Sequence, residues 1–212
     1  MTRWLPDLEA LAGQVRAAPR RARRRLVAIA GAPGSGKSTL AEALVATLCK
    51  GGHPAAVVPM DGFHLDNRLL EPRGLLPRKG APETFDAAGF GRLAQALAAE
   101  DTVYYPLFDR GRDCAIAGAG MLDAACETVV LEGNYLLLNR PEWSPLRSFW
   151  DLSISLSVPL DVLESRLIAR WRDHGLPEDA ARTRALGNDI PNARAVLAES
   201  AAADIVVTSG AA

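Results

Sequence analysis

The chain has 212 residues, 24 Lys and Arg against 25 Asp and Glu, and a formal net charge of -1 at pH 7. That length suits one sizeable α/β domain and is too short for two unless one is a small appendage; the near-zero charge gives no whole-molecule field to draw nucleic acid or anionic lipid. Apolar residues at 49% and charged residues at 23% are the balance of a buried core under a charged shell, which excludes disorder as the default state.

Trp4, Leu8, Leu11 and Val15 recur at helical spacing and predict an amphipathic helix over residues 6–17, packed on the domain edge. Arg20, Arg21, Arg23, Arg24 and Arg25 follow. With no aromatic residues interleaved, this run reads as a solvated edge before the first strand rather than a nucleic-acid patch. The apolar stretch 26–30 behind it stops at once in Gly31-Ala32-Pro33-Gly34, too short for the core of an export signal. No later stretch approaches the length of a membrane span, so a cytoplasmic protein with no membrane or nucleic-acid partner is expected. Cys49, Cys114 and Cys126 are odd in number and lack a C-x-x-C pair, which fits a reducing compartment and indicates neither a disulfide framework nor a zinc site.

Residues 26–30 read as a strand, and 37–49 as a helix with Leu40, Leu44 and Leu48 on one face. Gly51-Gly52 closes that helix, and 55–60 is a second buried strand ending at Asp61. From Gly62 to Asp86 the chain is rich in Gly, Pro and charge without sustained periodicity, which predicts a functional loop holding one short helix. A helix over 90–99, a third strand over 128–131 ending at Glu132, a fourth over 152–158, a helix over 159–172 and a last strand over 205–208 complete the pattern. Strands alternating with helices imply an α/β fold of three layers, α/β/α, whose mostly parallel sheet receives ligands at the carboxyl ends of its strands.

Gly31-Ala32-Pro33-Gly34-Ser35-Gly36-Lys37-Ser38 fits G-x-x-x-x-G-K-S between a predicted strand and a predicted helix, as the phosphate loop requires. Its glycines let backbone N–H groups curl around a phosphate. Lys37 would neutralise the β- and γ-phosphates of ATP, Ser38 would bind Mg²⁺, and Thr39 could reach the α-phosphate. Asp61 and Glu132 end buried strands, which places both carboxylates at the sheet edge that carries this loop. Glu132 suits the acid that orders magnesium, and Asp61 the group that accepts an acceptor's hydroxyl proton and adds to the metal site. Either one alone could instead be a strand-end cap of a neighbouring helix. Arg166 and Arg170 share a helix face at i, i+4 and can close over a polyphosphate as a lid, or can lie on a solvated face. His64, three residues after Asp61, is placed to contact substrate.

With these motifs in hand, the chain resembles the P-loop kinase superfamily of uridine kinases, phosphoribulokinases and bacterial type I pantothenate kinases. More narrowly it is similar to bacterial proteins named nucleoside triphosphate hydrolases or fructose-transport-system kinases. The resemblance runs from about Leu26 to Thr208 and rests on the phosphate loop with Met60-Asp61-Gly62-Phe63-His64, Arg73-Gly74-Leu75, the stretch Lys79-Gly80-Ala81-Pro82-Glu83-Thr84-Phe85-Asp86, Tyr105-Pro106-Leu107-Phe108-Asp109-Arg110, and Leu131-Glu132-Gly133-Asn134-Tyr135. It implies a P-loop NTPase fold with an acceptor loop and lid helices, divided as an N-terminal helix and basic segment (1–25) and a P-loop kinase domain (26–212). It also implies ATP and Mg²⁺, a small-molecule acceptor, and a homodimer as a common state. By the same resemblance Asp61 is the catalytic aspartate, Glu132 the second-strand acid and Arg166 with Arg170 the lid arginines. His64, Lys79, Glu83, Tyr105, Asp109, Arg110 and Tyr135 fall on the acceptor side. Asn188 to Ala193, and Asn192 in particular, resembles the segment that approaches adenine, where spacing alone predicts a turn before a helix.

Uridine kinases carry Phe-Asp-His-Pro where this chain has Lys79-Gly80-Ala81-Pro82, so the aspartate that would hold a nucleoside ribose is missing. Pantothenate stays open, and nothing in the sequence reads a ketohexose. Arg73, Arg78, Lys79, Arg110 and Arg112 cluster in or near the acceptor segments; they either favour an acceptor carrying phosphate or carboxylate or are solvated loop charges. The expected activity is transfer of the γ-phosphate of ATP to a metabolite hydroxyl. The alternative is an ATP hydrolase or nucleotide-dependent switch, and the absence of N-K-x-D argues against a guanine-specific one.

Overall fold

The computed structural model describes residues 6–208, so Trp4 lies outside the described residues. Asp7 accepts a hydrogen bond from the Ala10 amide at 3.0 Å and caps α1, Leu8–Ala17. β1, Arg25–Gly31, is buried along its whole length and alternates: Leu26, Ala28 and Ala30 enter one core cluster, Val27 and Ile29 the other. α2, Lys37–Lys50, covers the second cluster with Leu40, Leu44 and Leu48, beside Leu11 and Val15 of α1. α1 thus shares a core with the sheet. β2, Ala55–Pro59, stops one residue short of the predicted end, because Met60–Phe63 turns into a 3₁₀ helix that carries Asp61.

The irregular segment to Asp86 holds one α-helical turn, α3 (Asn67–Leu70), and 3₁₀ turns at Glu71–Arg73, Leu76–Arg78 and Pro82–Thr84. α4, Ala87–Ala99, starts at Asp86, whose side chain accepts from the Gly89 amide at 2.7 Å. An antiparallel hairpin follows, β3 (Val103–Asp109) and β4 (Cys114–Leu122), which the sequence did not announce. β4 reads Cys-Ala-Ile-Ala-Gly-Ala-Gly-Met-Leu, too small and too uniform to show a period of two. Then come β5 (Thr128–Gly133), β6 (Leu152–Ser157), α5 (Leu160–Asp173) and α6 (Glu178–Arg184). In place of the predicted turn, a π-helical segment, Ala185–Asp189, joins α6 to α7 (Ile190–Glu199), and β7 (Ile205–Thr208) ends the described chain.

The main sheet has the order β2-β5-β1-β6-β7 with every pairing parallel, and the hairpin stands apart from it. α1 and α2 cover one face; α4, α5 and α7 cover the other through Phe90, Leu93, Leu163, Leu167 and Val196. This is the predicted three-layer α/β/α fold. Among the described residues no helix is long and apolar enough to cross a membrane, and no group of three or more His, Cys, Asp or Glu side chains is placed to hold a metal ion by itself.

The arginine run departs from its expected role as a solvated edge. Arg24 is fully buried and donates to the carbonyls of Leu97, Glu100, Asp101 and Asp123 at 2.6 to 3.0 Å. Arg25 donates to the carbonyls of Ala18 and Arg16 and to the Thr128 hydroxyl, and Arg21 pairs with Asp151 at 2.8 Å. These guanidiniums satisfy carbonyls that helix and strand ends leave without partners, a task composition does not reveal.

Gly62 locks the Asp61 turn to the hairpin, since a Cβ there would stand 2.1 Å from the Pro106 carbonyl oxygen. Gly62→Ala is expected to lower stability by roughly 1–3 kcal/mol through forced displacement of packed backbone. Chemical denaturation checks this, and an unchanged midpoint would contradict the contact.

Candidate active site

The phosphate loop begins where β1 ends. Gly34 and Gly36 have φ of 78° and 91°, a left-handed conformation that side chains resist. A Cβ on Gly31 would meet Ser35 Oγ at 2.6 Å, and one on Gly34 would meet Leu167 of α5 at 3.1 Å. Gly36 caps α2 without any side-chain hydrogen bond, so the first-turn amides of α2 point outward with no side-chain acceptor of their own.

Glu132 lies in register between Ile29 of β1 and Pro59 of β2, and is only 5% exposed. Its Oε2 is buried with no hydrogen-bond partner. Burial pushes its carboxyl above the ordinary glutamate range; the Lys37 charge opposes that rise, Asp61 adds to it, and a hydrogen bond from Ser38 opposes it. Asp61 stands beside this group on the 3₁₀ turn, its Oδ2 held by Arg110 of the hairpin tip at 3.0 Å. His64 is hydrogen-bonded through Nδ1 to the Asp61 carbonyl at 2.8 Å, and burial pulls its pKa below the ordinary histidine value against the Asp61 charge.

One cavity of about 950 Å³ joins these groups. Of the residues predicted from sequence, Pro33, Gly34, Gly36, Lys37, Ser38, Thr39, Asp61, His64, Lys79, Arg110, Glu132, Arg166 and Arg170 line it. Gly31, Ala32 and Ser35 belong to the loop but are buried behind the wall. The remaining predicted residues are not brought to the wall. Glu83 turns toward Arg78 at 3.6 Å and lines a second cavity, which meets the first at Phe85. Tyr105 is core, packed under Gly120, and Asp109 closes the hairpin turn by accepting from the Arg112 amide at 3.0 Å. Tyr135 is fully buried, its hydroxyl donating to the Gly80 carbonyl at 2.6 Å, with burial pushing its phenol well up. Asn192 is buried against Asn188 and Arg78, so it ties segments together where an adenine contact was expected.

Sequence reasoning passed over Asn67, Phe85, Phe108, Asp113, Trp171, Arg184 and Asp189, which all line the cavity. Phe85 and Phe108 lie inside the motifs that carry the resemblance, and Trp171 directly follows Arg170, which was the available signal. Trp171 donates from Nε1 to Asp189 Oδ2, and Asp189 also lies 3.6 Å from Arg170. That pairing holds the Arg170 and Trp171 side chains against the π-helical segment.

A solved structure of a candidate fructose transport system kinase from Silicibacter sp. TM1040 is 58% identical, covering 95% of this chain and 98% of its own, with a TM-score of 0.92. An uncharacterised protein of Escherichia coli (strain K12) is 36% identical over 187 residues, 87% of this chain and 78% of its own. A candidate uridine kinase of Schizosaccharomyces pombe is 32% identical over 194 residues, 87% and 83% of the two chains. The chain belongs to the P-loop kinase family of uridine kinase, phosphoribulokinase and pantothenate kinase. The family model of the methylmalonyl-CoA mutase-associated GTPase MeaB matches residues 6–63 alone, a stretch that ends just past Asp61 and contains the phosphate loop shared by ATPases and GTPases.

For this kinase-family site the buried carboxylate has a measurable consequence. With the folded pKa of Glu132 raised, the folded chain binds more protons between the unfolded and folded values, so stability falls as pH rises through that window. Glu132→Gln is expected to make the nucleotide-free protein more resistant to urea than wild type at about pH 8, with the difference closing toward about pH 4. Urea midpoints at the two pH values check this; no gain at the higher pH would contradict the buried charge.

Proposed function

We propose that the chain is an ATP-dependent kinase that transfers the γ-phosphate of ATP to a hydroxyl of a small metabolite, with a sugar, a pantothenate-like or a nucleoside-like compound as the acceptor. The observation that carries this reading is the meeting of Asp61 and Glu132, at neighbouring strand ends, with an uncapped phosphate loop in one cavity that extends past them. Relatives with kinase names support it.

The residues fit a magnesium ion. Glu132 offers a buried oxygen that lacks a partner, the Ser38 hydroxyl touches the same carboxylate, and Asp61 stands beside them. Two carboxylates and a hydroxyl suit an ion that keeps waters and takes phosphate oxygens for the rest of its octahedron. Bound there, it would neutralise charge on the phosphates.

In the proposed reaction Lys37 and the amides of residues 34–39 hold the β- and γ-phosphates, and α5 presents Arg166 and Arg170 to the same cavity. Arg110, whose side chain is 69% exposed, gives up Asp61 to the acceptor hydroxyl at little cost. Asp61 takes the hydroxyl proton as the acceptor oxygen bonds to the γ-phosphorus and the bond to the β-phosphate oxygen breaks, leaving ADP. The lysine and lid arginines stabilise the charge spread over the transferred group.

The match to a GTPase model over residues 6–63 favours a second reading, a hydrolase or nucleotide-dependent switch. It predicts slow turnover indifferent to added metabolites. ADP release from ATP and magnesium, with and without a panel of sugars, pantothenate and nucleosides, separates the two. A large rise with one acceptor is expected; a rate unchanged by all of them would overturn the kinase reading. Lys37→Ala is expected to abolish nucleotide binding, and Asp61→Asn to keep ATP affinity while transfer falls by roughly 10²–10⁴-fold. Near wild-type transfer in Asp61→Asn would exclude it as the base.

A further inference from the structure

The end of the cavity beyond Asp61 is walled by His64, Lys79, Phe85, Phe108, Arg110 and Asp113. Counting basic residues in the nearby segments predicted a recess for an anionic acceptor, but the side-chain partners remove most of that charge. An ammonium has three donors, and Lys79 meets Asn67 Oδ1 at 2.7 Å, the Asp113 carbonyl at 2.7 Å and Asp113 Oδ1 at 2.8 Å. Arg78 donates to Asn188 and Asn192 and lies off the wall, with Glu83 at 3.6 Å. Arg112 pairs with Asp109 at 3.6 Å. Arg73 is exposed and outside the cavity wall.

The two cations left at this end, Lys79 and Arg110, are each matched by a carboxylate of the same wall, Asp113 and Asp61. The Arg110–Asp61 pair is exposed and opens at little cost, so the barrier lies at Lys79, whose side chain is 10% exposed: a phosphate or carboxylate reaching it would have to displace Asp113 and then face it as a like charge. What the wall does offer is different. The His64 ring packs at a tilt against Phe85 and Phe108, with centroids 4.0 Å and 4.6 Å away, and Lys79 lies 5.1 Å above the Phe108 ring centre. Rings pack against C–H faces, and carboxylate oxygens accept O–H donors.

We propose that the acceptor is an uncharged polyhydroxyl compound, and that the Lys79–Asp113 pair beside the His64, Phe85 and Phe108 rings excludes its phosphorylated or carboxylated counterparts. This rests on the kinase reading for the cavity, and it replaces the anionic acceptor predicted from composition.

Matched pairs differing by one anionic group are the probes: D-fructose and its monophosphates, D-ribose and its monophosphate, panthenol and pantothenate. Each is titrated calorimetrically into the full chain holding a non-hydrolysable ATP analogue and magnesium. At least one neutral member is expected to bind, with its charged partner weaker by roughly tenfold or more. Asp113→Asn, which leaves Lys79 unmatched, is expected to narrow that preference by roughly tenfold, while Asp113→Asn combined with Lys79→Met restores it. Equal or tighter binding of the charged partner overturns the proposal, and so does failure of every neutral member to bind. Binding with the expected preference but no ADP release from ATP would leave the cavity's selectivity for neutral polyhydroxyl ligands standing and overturn the kinase reading instead.

Discussion

The parallel pairing of β1 with β5 sets the distance between the phosphate loop and Glu132 in a single register, Ile29 opposite Glu132. Both strands are buried on both faces, and their side chains alternate between two apolar clusters. A slip of one residue would exchange the two sets and drive Glu132 into hydrocarbon, so the core that stabilises the sheet also holds the acid beside the loop. β2 on the other side of β5 then has no choice but to deliver Asp61 to the same edge. Two carboxylates near uncapped helix amides and one lysine are an arrangement that only a rigid, prepaired sheet can maintain.

Beyond the sheet, the acceptor segment has almost no regular structure, and its backbone must find partners elsewhere. Tyr135 donates to the Gly80 carbonyl, Asn188 to the Lys79 carbonyl and Arg184 to the Pro77 carbonyl. Two of these donors come from α6 and the π-helical segment that follows it, so the irregular segment and these helices rest on one another. Asp189, next to Asn188, holds Arg170 and Trp171. Several family-matched residues, Tyr135 and Asn192 among them, therefore act as struts beneath the site and not as its lining.

The phosphate loop, its flanking strand and helix, and the positions along the chain of the remaining main-sheet strands were legible because each rests on local information: glycines that permit positive φ, a period of two or of three to four, and acidic residues at strand ends. The β3–β4 hairpin was not legible, since Ala and Gly on β4 carry no contrast between faces. The arginine run misled for a related reason. Its sequence looks like surface, and only the carbonyls of Leu97, Glu100, Asp101 and Asp123, far along the chain, make Arg24 a buried donor.

By itself the sequence determined that this chain places a phosphate loop and two acids at the carboxyl edge of a parallel sheet, because strand periodicity and the loop's spacing are properties of neighbouring residues. Tertiary structure alone decided which charges remain available at that edge. Lys79 is spent on Asp113 and Asn67, Arg78 on Asn188 and Asn192, and Glu132 keeps a buried oxygen without a partner. Pairing and burial depend on what folds against a residue from a distance, and no spacing along the chain encodes them.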